Sequence, residues 1–300
     1  MSHNTITADK LRRGDTIGIV CPSHVADPAR YARDIAVIES LGFSVKLGAN
    51  VYRDTDGYIA SAQERADDLN AMVADGDVKM VLFGGGDGAI ELLPLIDYAN
   101  IRRHPKLFSS YSDGTSILNA IHAQTGLVTY YGQGAGEFYD LRYYDWRQFS
   151  AHFIDDTPPS RFVSDSEWRV LRGGTCAGTL IGGYTSIFGL LLSNEYFSYD
   201  TSRKYLLFLE DYERFSNVGA VNTYLSAIEQ SAFMRQVTGL IFGHYAAEVP
   251  DILLQRLERF GAAHDIPVVY TDDFGHGTRH AILPIGVDAV LENGQLTLSY

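Results

Sequence analysis

The sequence predicts an α/β protein made of two halves that face each other across a cleft. Three observations lead there. Short β-rich apolar runs alternate with helical patterns from Thr16 to about Val128, that rhythm stops over 131–172, and it then starts again. The halves are placed at 1–150 and 173–300 with a linker at 151–172 between them, and a cleft between two α/β units is where a ligand is expected.

In the first half TIGIVC (16–21) reads as a strand, and Ile35, Ile38 and Leu41 mark one face of the following helix, closed by Gly42. FSVKL is the second strand. Ala66, Leu69, Met72 and Val73 define the next helix, and VKMVLF (78–83) leads into a glycine cluster. Crossover helices between such strands imply parallel pairing. KLFSS (106–110) precedes a helix near 114–125. Residues 131–172 collect Tyr, Asp and Arg with Pro158–Pro159. A small-residue helix is then predicted at about 175–192, followed by the strand YLLFL (205–209), a helix near 217–229, the strand TGLIFG (238–243), a further helix, and IPVVY (266–270). The chain ends in a hairpin turning at Asn293–Gly294.

Composition excludes several classes. A chain of 300 residues with 46% hydrophobic and 20% charged residues can bury a substantial core. With 24 basic against 37 acidic residues the formal charge is -13, which repels a phosphate backbone, and no basic stripe offsets it, so nucleic acid is not an expected partner. MSHNTITADKLRRGD lacks the apolar run of a signal peptide, and no run of about 18 apolar residues follows. A soluble cytoplasmic protein without a membrane partner is expected. Cys21 and Cys176 lie far apart with no CxxC spacing, so they read as buried thiols, and neither a metal site nor a disulfide is indicated.

Chemistry concentrates in a few segments. SYSDGTS (110–116) lies where an apolar strand turns directly into a helix. Such a turn lifts its central side chain, Ser112, out of the backbone and needs small neighbours, here Ser110 and Gly114, while the helix start aims N–H groups at any oxyanion. Taken alone it is also the pattern of an N-cap serine. Of nine histidines, His276 stands out because Gly275 and Gly277 flank it just beyond a strand; His122, His244 and His280 fit packed or surface patterns. LLFLEDYER (206–214) ends an apolar strand in Glu210 and Asp211, either of which could point into the crevice, with Glu213 on the solvated side. GGGDGAIELLPLIDY (84–98) offers unblocked amides after a strand, and by itself suits a tight turn or the phosphate cradle of a GGDG-type kinase.

Read together, the segments resemble the serine LD-carboxypeptidase family, which includes muramoyl-tetrapeptide carboxypeptidases and microcin C immunity peptidases. The resemblance runs through LRRGDTIGIVCPS (11–23), GGGDGAIELLPLIDY, YSDGTSILNAI, TGLVTYYG, LIGGYTSIFGLL, LLFLEDYER and DFGHGTRHAILPIG (273–286), all in family order. It implies a flavodoxin-like or amidotransferase-like first half and a second half with a mixed sheet. It further implies Ser112 as nucleophile, His276 as base, Glu210 as the acid orienting it, and an oxyanion hole from the Asp113 amide with that of Gly85 or Gly86. No cofactor is implied. The expected substrate is a murein tetrapeptide losing its terminal D-alanine, or alternatively a peptidyl or aminoacyl nucleotide, and a homodimer is expected. The chain departs from the family's R-G-G-Y-G at Gly84–Gly88, from H-G-P at Tyr131-Gly132-Gln133, and from G-G-N at Gly182-Gly183-Tyr184. Asp87, Tyr131, Gln133 and Tyr184 are therefore expected to line the substrate side of the cleft.

Overall fold

The computed structural model describes residues 5–300. Its first sheet takes up β1 (Thr16–Val20), β2 (Ser44–Leu47), β3 (Val78–Phe83), β4 (Leu107–Ser110) and β5 (Thr129–Tyr131), all parallel. The connections are helical: α1 (Pro28–Ser40), α2 (Ala62–Ala74), α3 (Tyr98–Arg103) and α4 (Thr115–Thr125). Local chemistry starts and stops them. Asp27 caps α1 by accepting the Arg30 N–H, Ser61 and Glu64 form a capping box on α2, and Gly126 in the left-handed region ends α4.

The segment after β5 differs from the expected linker. Helix α5 (Tyr143–Phe149) continues through a wide turn at Ser150–Ile154, and β6 (Arg169–Arg172) is already a strand of the second sheet. Regular structure is absent only over 155–168, and even there Ser164 and Trp168 donate to Asp273. Phe149 and Phe153, both fully buried, explain why polar-looking sequence orders here: their rings pack on one another and on Phe138 and Tyr130.

The second correction concerns 175–192, where the predicted helix is a strand, β7 (Thr175–Tyr184), with only α6 (Thr185–Leu191) helical. Its small residues serve close approach. A Cβ on Gly182 would fall 1.7 Å from the Phe208 carbonyl oxygen, and one on Gly178 would fall 2.7 Å from the Leu206 nitrogen. Strands β8 (Tyr205–Glu210), β9 (Val237–His244) and β10 (Val268–Gly275) follow, with α7 (Val218–Gln230) and α8 (Asp251–His264) between them. β11 (Leu283–Ile285) comes next, and β12 (Asp288–Glu292) and β13 (Gln295–Ser299) form the expected hairpin, with Asn293 and Gly294 at positive φ.

The sheets run β11-β5-β4-β3-β1-β2 and β13-β12-β7-β8-β9-β10-β6. The second is mixed: β7 to β10 are parallel, while β12 and β6 join antiparallel at its flanks. Although it follows the linker, β11 pairs with β5 of the first sheet, so the chain crosses back between the halves. Among the described residues no helix is long and apolar enough to cross a membrane.

Candidate active site

The carboxyl ends of β3, β4, β8 and β10 converge on one point, and each contributes a group there. Ser112 follows β4 with φ 56, an unusual conformation for a residue with a side chain. Strain of this kind, of order 1–3 kcal/mol, persists only where neighbours fix it. Here the Ser112 N–H donates to the Tyr131 hydroxyl at 3.0 Å and its carbonyl accepts from Thr115 Oγ1 at 2.6 Å. Small neighbours are needed as the turn requires: a Cβ on Gly114 would meet Ser110 Oγ at 2.1 Å.

Glu210, the last residue of β8, is fully buried. Its Oε2 accepts from His276 Nδ1 at 2.9 Å, and Oε1 accepts from the Tyr131 hydroxyl. The other imidazole nitrogen, Nε2, lies 3.0 Å from Ser112 Oγ. Because Oε2 can only accept, it fixes the proton on Nδ1 and leaves Nε2 as the acceptor facing the serine. His276 directly follows β10 and is packed among aromatic rings: Tyr212 lies parallel at 5.3 Å, with Tyr111, Tyr184 and Phe215 edge-on at 5.2, 5.3 and 5.5 Å. Burial pulls its pKa down, but Glu210, with Asp211 and Glu137, outweighs burial and holds the imidazole above its ordinary value.

Between the two candidate acids, geometry selects Glu210. Asp211 is also fully buried, but its Oδ1 accepts its neighbour's amide, from Tyr212, at 2.9 Å. Burial, aided by the Glu210 charge, pushes its carboxyl up to about 6. Among the glycines, Gly85 abuts the serine, since a Cβ there would stand 2.7 Å from Ser112 Cβ, whereas Gly86 is turned toward the Ser23 carbonyl. Asp113 accepts the Ala89 N–H at 2.7 Å, which ties the serine turn to the segment after the glycine turn.

Two expected cleft residues are not in the cleft. Tyr131 is fully buried behind Glu210 and Ser112, joined to both, and Gln133 is fully buried with its amide donating to the Asp145 and His280 carbonyls. Tyr131 ends β5 and Gln133 lies two residues beyond it, and both side chains are held inside by these buried partners. Tyr184 does border the site through its ring, and Asp87 is exposed on the glycine turn. Sequence reasoning missed Thr115, whose hydroxyl accepts the Tyr184 N–H at 2.9 Å and holds β7 against the serine helix. Its position in SDGTS, at the start of the helix that follows the serine, was the available signal. His244 and His280 are engaged elsewhere, with Asp272 and Asp145, and the cysteines are free and buried.

Comparison with known proteins finds relatives along most of the chain. Residues 17–132 match the LD-carboxypeptidase N-terminal domain and residues 177–291 its C-terminal domain. A putative carboxypeptidase of Treponema pallidum is 30% identical, covering 92% of this chain and 89% of its own. A probable murein peptide carboxypeptidase of Bacillus subtilis is 30% identical over 96% of this chain and 92% of its own. The microcin C7 self-immunity protein MccF of Escherichia coli is 26% identical over 97% and 94%. Among solved structures, an MccF-like protein from Bacillus anthracis superposes with a TM-score of 0.87 at 25% identity, covering 98% of this chain and 99% of that one.

Proposed function

The chain belongs to the LD-carboxypeptidase family, and from that premise we propose that it hydrolyses an amide beside a free carboxylate through Ser112, His276 and Glu210. The observation that carries this is the unbroken relay from Ser112 Oγ to His276 Nε2 at 3.0 Å and from His276 Nδ1 to Glu210 at 2.9 Å. In the mechanism this supports, Ser112 Oγ attacks the carbonyl carbon as its proton passes to Nε2. Glu210 holds the tautomer and stabilises the imidazolium. The Asp113 amide, with that of Gly85 or Gly86, receives the oxyanion. His276 then protonates the departing amine, and water repeats the sequence to free the acyl group from the serine. Asp87 and Tyr184 would contact the substrate.

The favoured substrate is a murein tetrapeptide that loses D-alanine, a reading supported by the murein peptide carboxypeptidase of Bacillus subtilis. A second reading, cleavage of a peptidyl or aminoacyl nucleotide, is supported by similarity to MccF. The kinase reading of the GGDG turn gives way, because Gly85 packs on Ser112 itself. Incubation with murein tetrapeptide and with an aspartyl nucleotide, followed by mass spectrometry of the products, tests the pair. Ser112→Ala should retain only the residual rate that binding and the oxyanion hole provide. Undiminished hydrolysis by that variant would remove Ser112 as nucleophile.

A further inference from the structure

A carboxypeptidase must recognise the free carboxylate next to the amide it cuts, so a cation is needed within reach of the serine. The glycine turn supplies none, because Gly84-Gly85-Gly86-Asp87-Gly88 carries no basic residue. Against this turn lies a cavity of about 290 Å³ bordered by Gly84, Gly85, Tyr111, His24, Glu137 and Arg30. The cavity adjoins the chemistry. A Cβ on Gly85 would be 3.0 Å from Ser112 Oγ, and the Tyr111 ring packs 5.2 Å from that of His276.

Arg30 is the one permanent cation on the cavity wall. His24 is not a rival, since burial lowers its pKa and keeps it neutral. The guanidinium is held but not consumed: Nη2 donates to the Gly136 carbonyl at 3.0 Å, and Cζ lies 5.4 Å from the centre of the Tyr139 ring. A guanidinium has five N–H donors in a planar fork suited to a carboxylate, so most of its capacity stays open to a ligand. The acidic wall is committed elsewhere. Glu137 accepts the Gly134 N–H at 2.7 Å, and Asp27 caps α1 through the Arg30 N–H.

We propose that Arg30, on the wall of this cavity, is the specificity residue that binds the substrate's free carboxylate. This rests on the amide hydrolysis proposed above. The test compares steady-state hydrolysis of murein tetrapeptide ending in D-alanine with that of the same peptide ending in D-alaninamide, by the wild type, Arg30→Gln and Arg30→Lys. The wild type should prefer the carboxylate form. Arg30→Gln should raise KM for it roughly 10- to 100-fold, with kcat within a few-fold and the amide form unaffected, so the preference collapses. Arg30→Lys, which keeps the charge and loses the fork, should restore part of it. Retained preference in Arg30→Gln, or an equal loss on both peptides, would overturn the assignment while leaving the hydrolase reading intact. A wild type that cuts neither peptide would instead overturn the murein-peptide reading of the substrate, and the assignment with it.

Discussion

Replacing Glu210 by Gln tests the site where it is most constrained. The wild-type carboxylate accepts at both oxygens, from His276 Nδ1 at 2.9 Å and from the Tyr131 hydroxyl. Glutamine has one acceptor oxygen and an NH2 group. If the oxygen keeps Tyr131, the NH2 faces Nδ1, which must become an acceptor; the proton moves to Nε2 and the imidazole can no longer take one from Ser112. If the oxygen keeps His276, the NH2 confronts a tyrosine hydroxyl that loses its acceptor, and the imidazolium still loses its counter-charge. A wrongly held tautomer costs roughly 10³ to 10⁴ in kcat, or about 4 to 5.5 kcal/mol of barrier. The pH profile gives a second reading. Catalysis needs the neutral imidazole, so activity rises as pH rises through the His276 pKa, which Glu210 holds above the ordinary value. Without that charge burial dominates, and the residual activity should show its acid limb at lower pH. Steady-state rates and a pH–kcat/KM profile of Glu210→Gln check both points. A loss below tenfold, or an acid limb that stays in place, would refute the role given to Glu210.

Asp211→Asn should behave in the opposite way. Its folded carboxyl holds a proton up to about pH 6, against about 3.9 for an ordinary aspartate, so the wild type loses up to about 3 kcal/mol of stability as pH rises through that window. The asparagine variant should be more stable than the wild type in urea unfolding at pH 8, by an amount that vanishes near pH 4, with kcat within about tenfold; equal stability at pH 8 would remove the burial argument. Tyr131→Phe strips a partner from both Glu210 and the buried Ser112 N–H. A loss of about 2 to 4 kcal/mol of stability is expected by urea unfolding, together with lower kcat, and a stability change under 1 kcal/mol would show that neither bond matters to the fold.

Much of this protein was written in its local sequence. Strand and helix periodicity placed β1 through β4, β8 and β9 with the helices α1, α2, α4 and α7, and small residues around Ser112 gave the strained turn, because those signals depend on a few neighbouring side chains. Motif order pointed to Ser112, Glu210 and His276 as a group. Local signals failed wherever the deciding partner was distant in sequence. The small residues of 175–184 suit a helix in isolation, but they form β7 because Gly178 and Gly182 must fit against β8. The expected linker at 151–172 instead carries the wide turn that continues α5 and the strand β6, because Phe153 is buried in the core and β6 pairs with β10, a strand far along the chain. Tyr131 and Gln133 are held inside by partners distant in sequence, Glu210 for the first and the His280 carbonyl for the second. Glu210 and Asp211 carry the same charge on adjacent residues; only the tertiary structure, by bringing His276 and Tyr131 to one of them, decided which orients the base, since adjacent residues of an extended chain point in opposite directions.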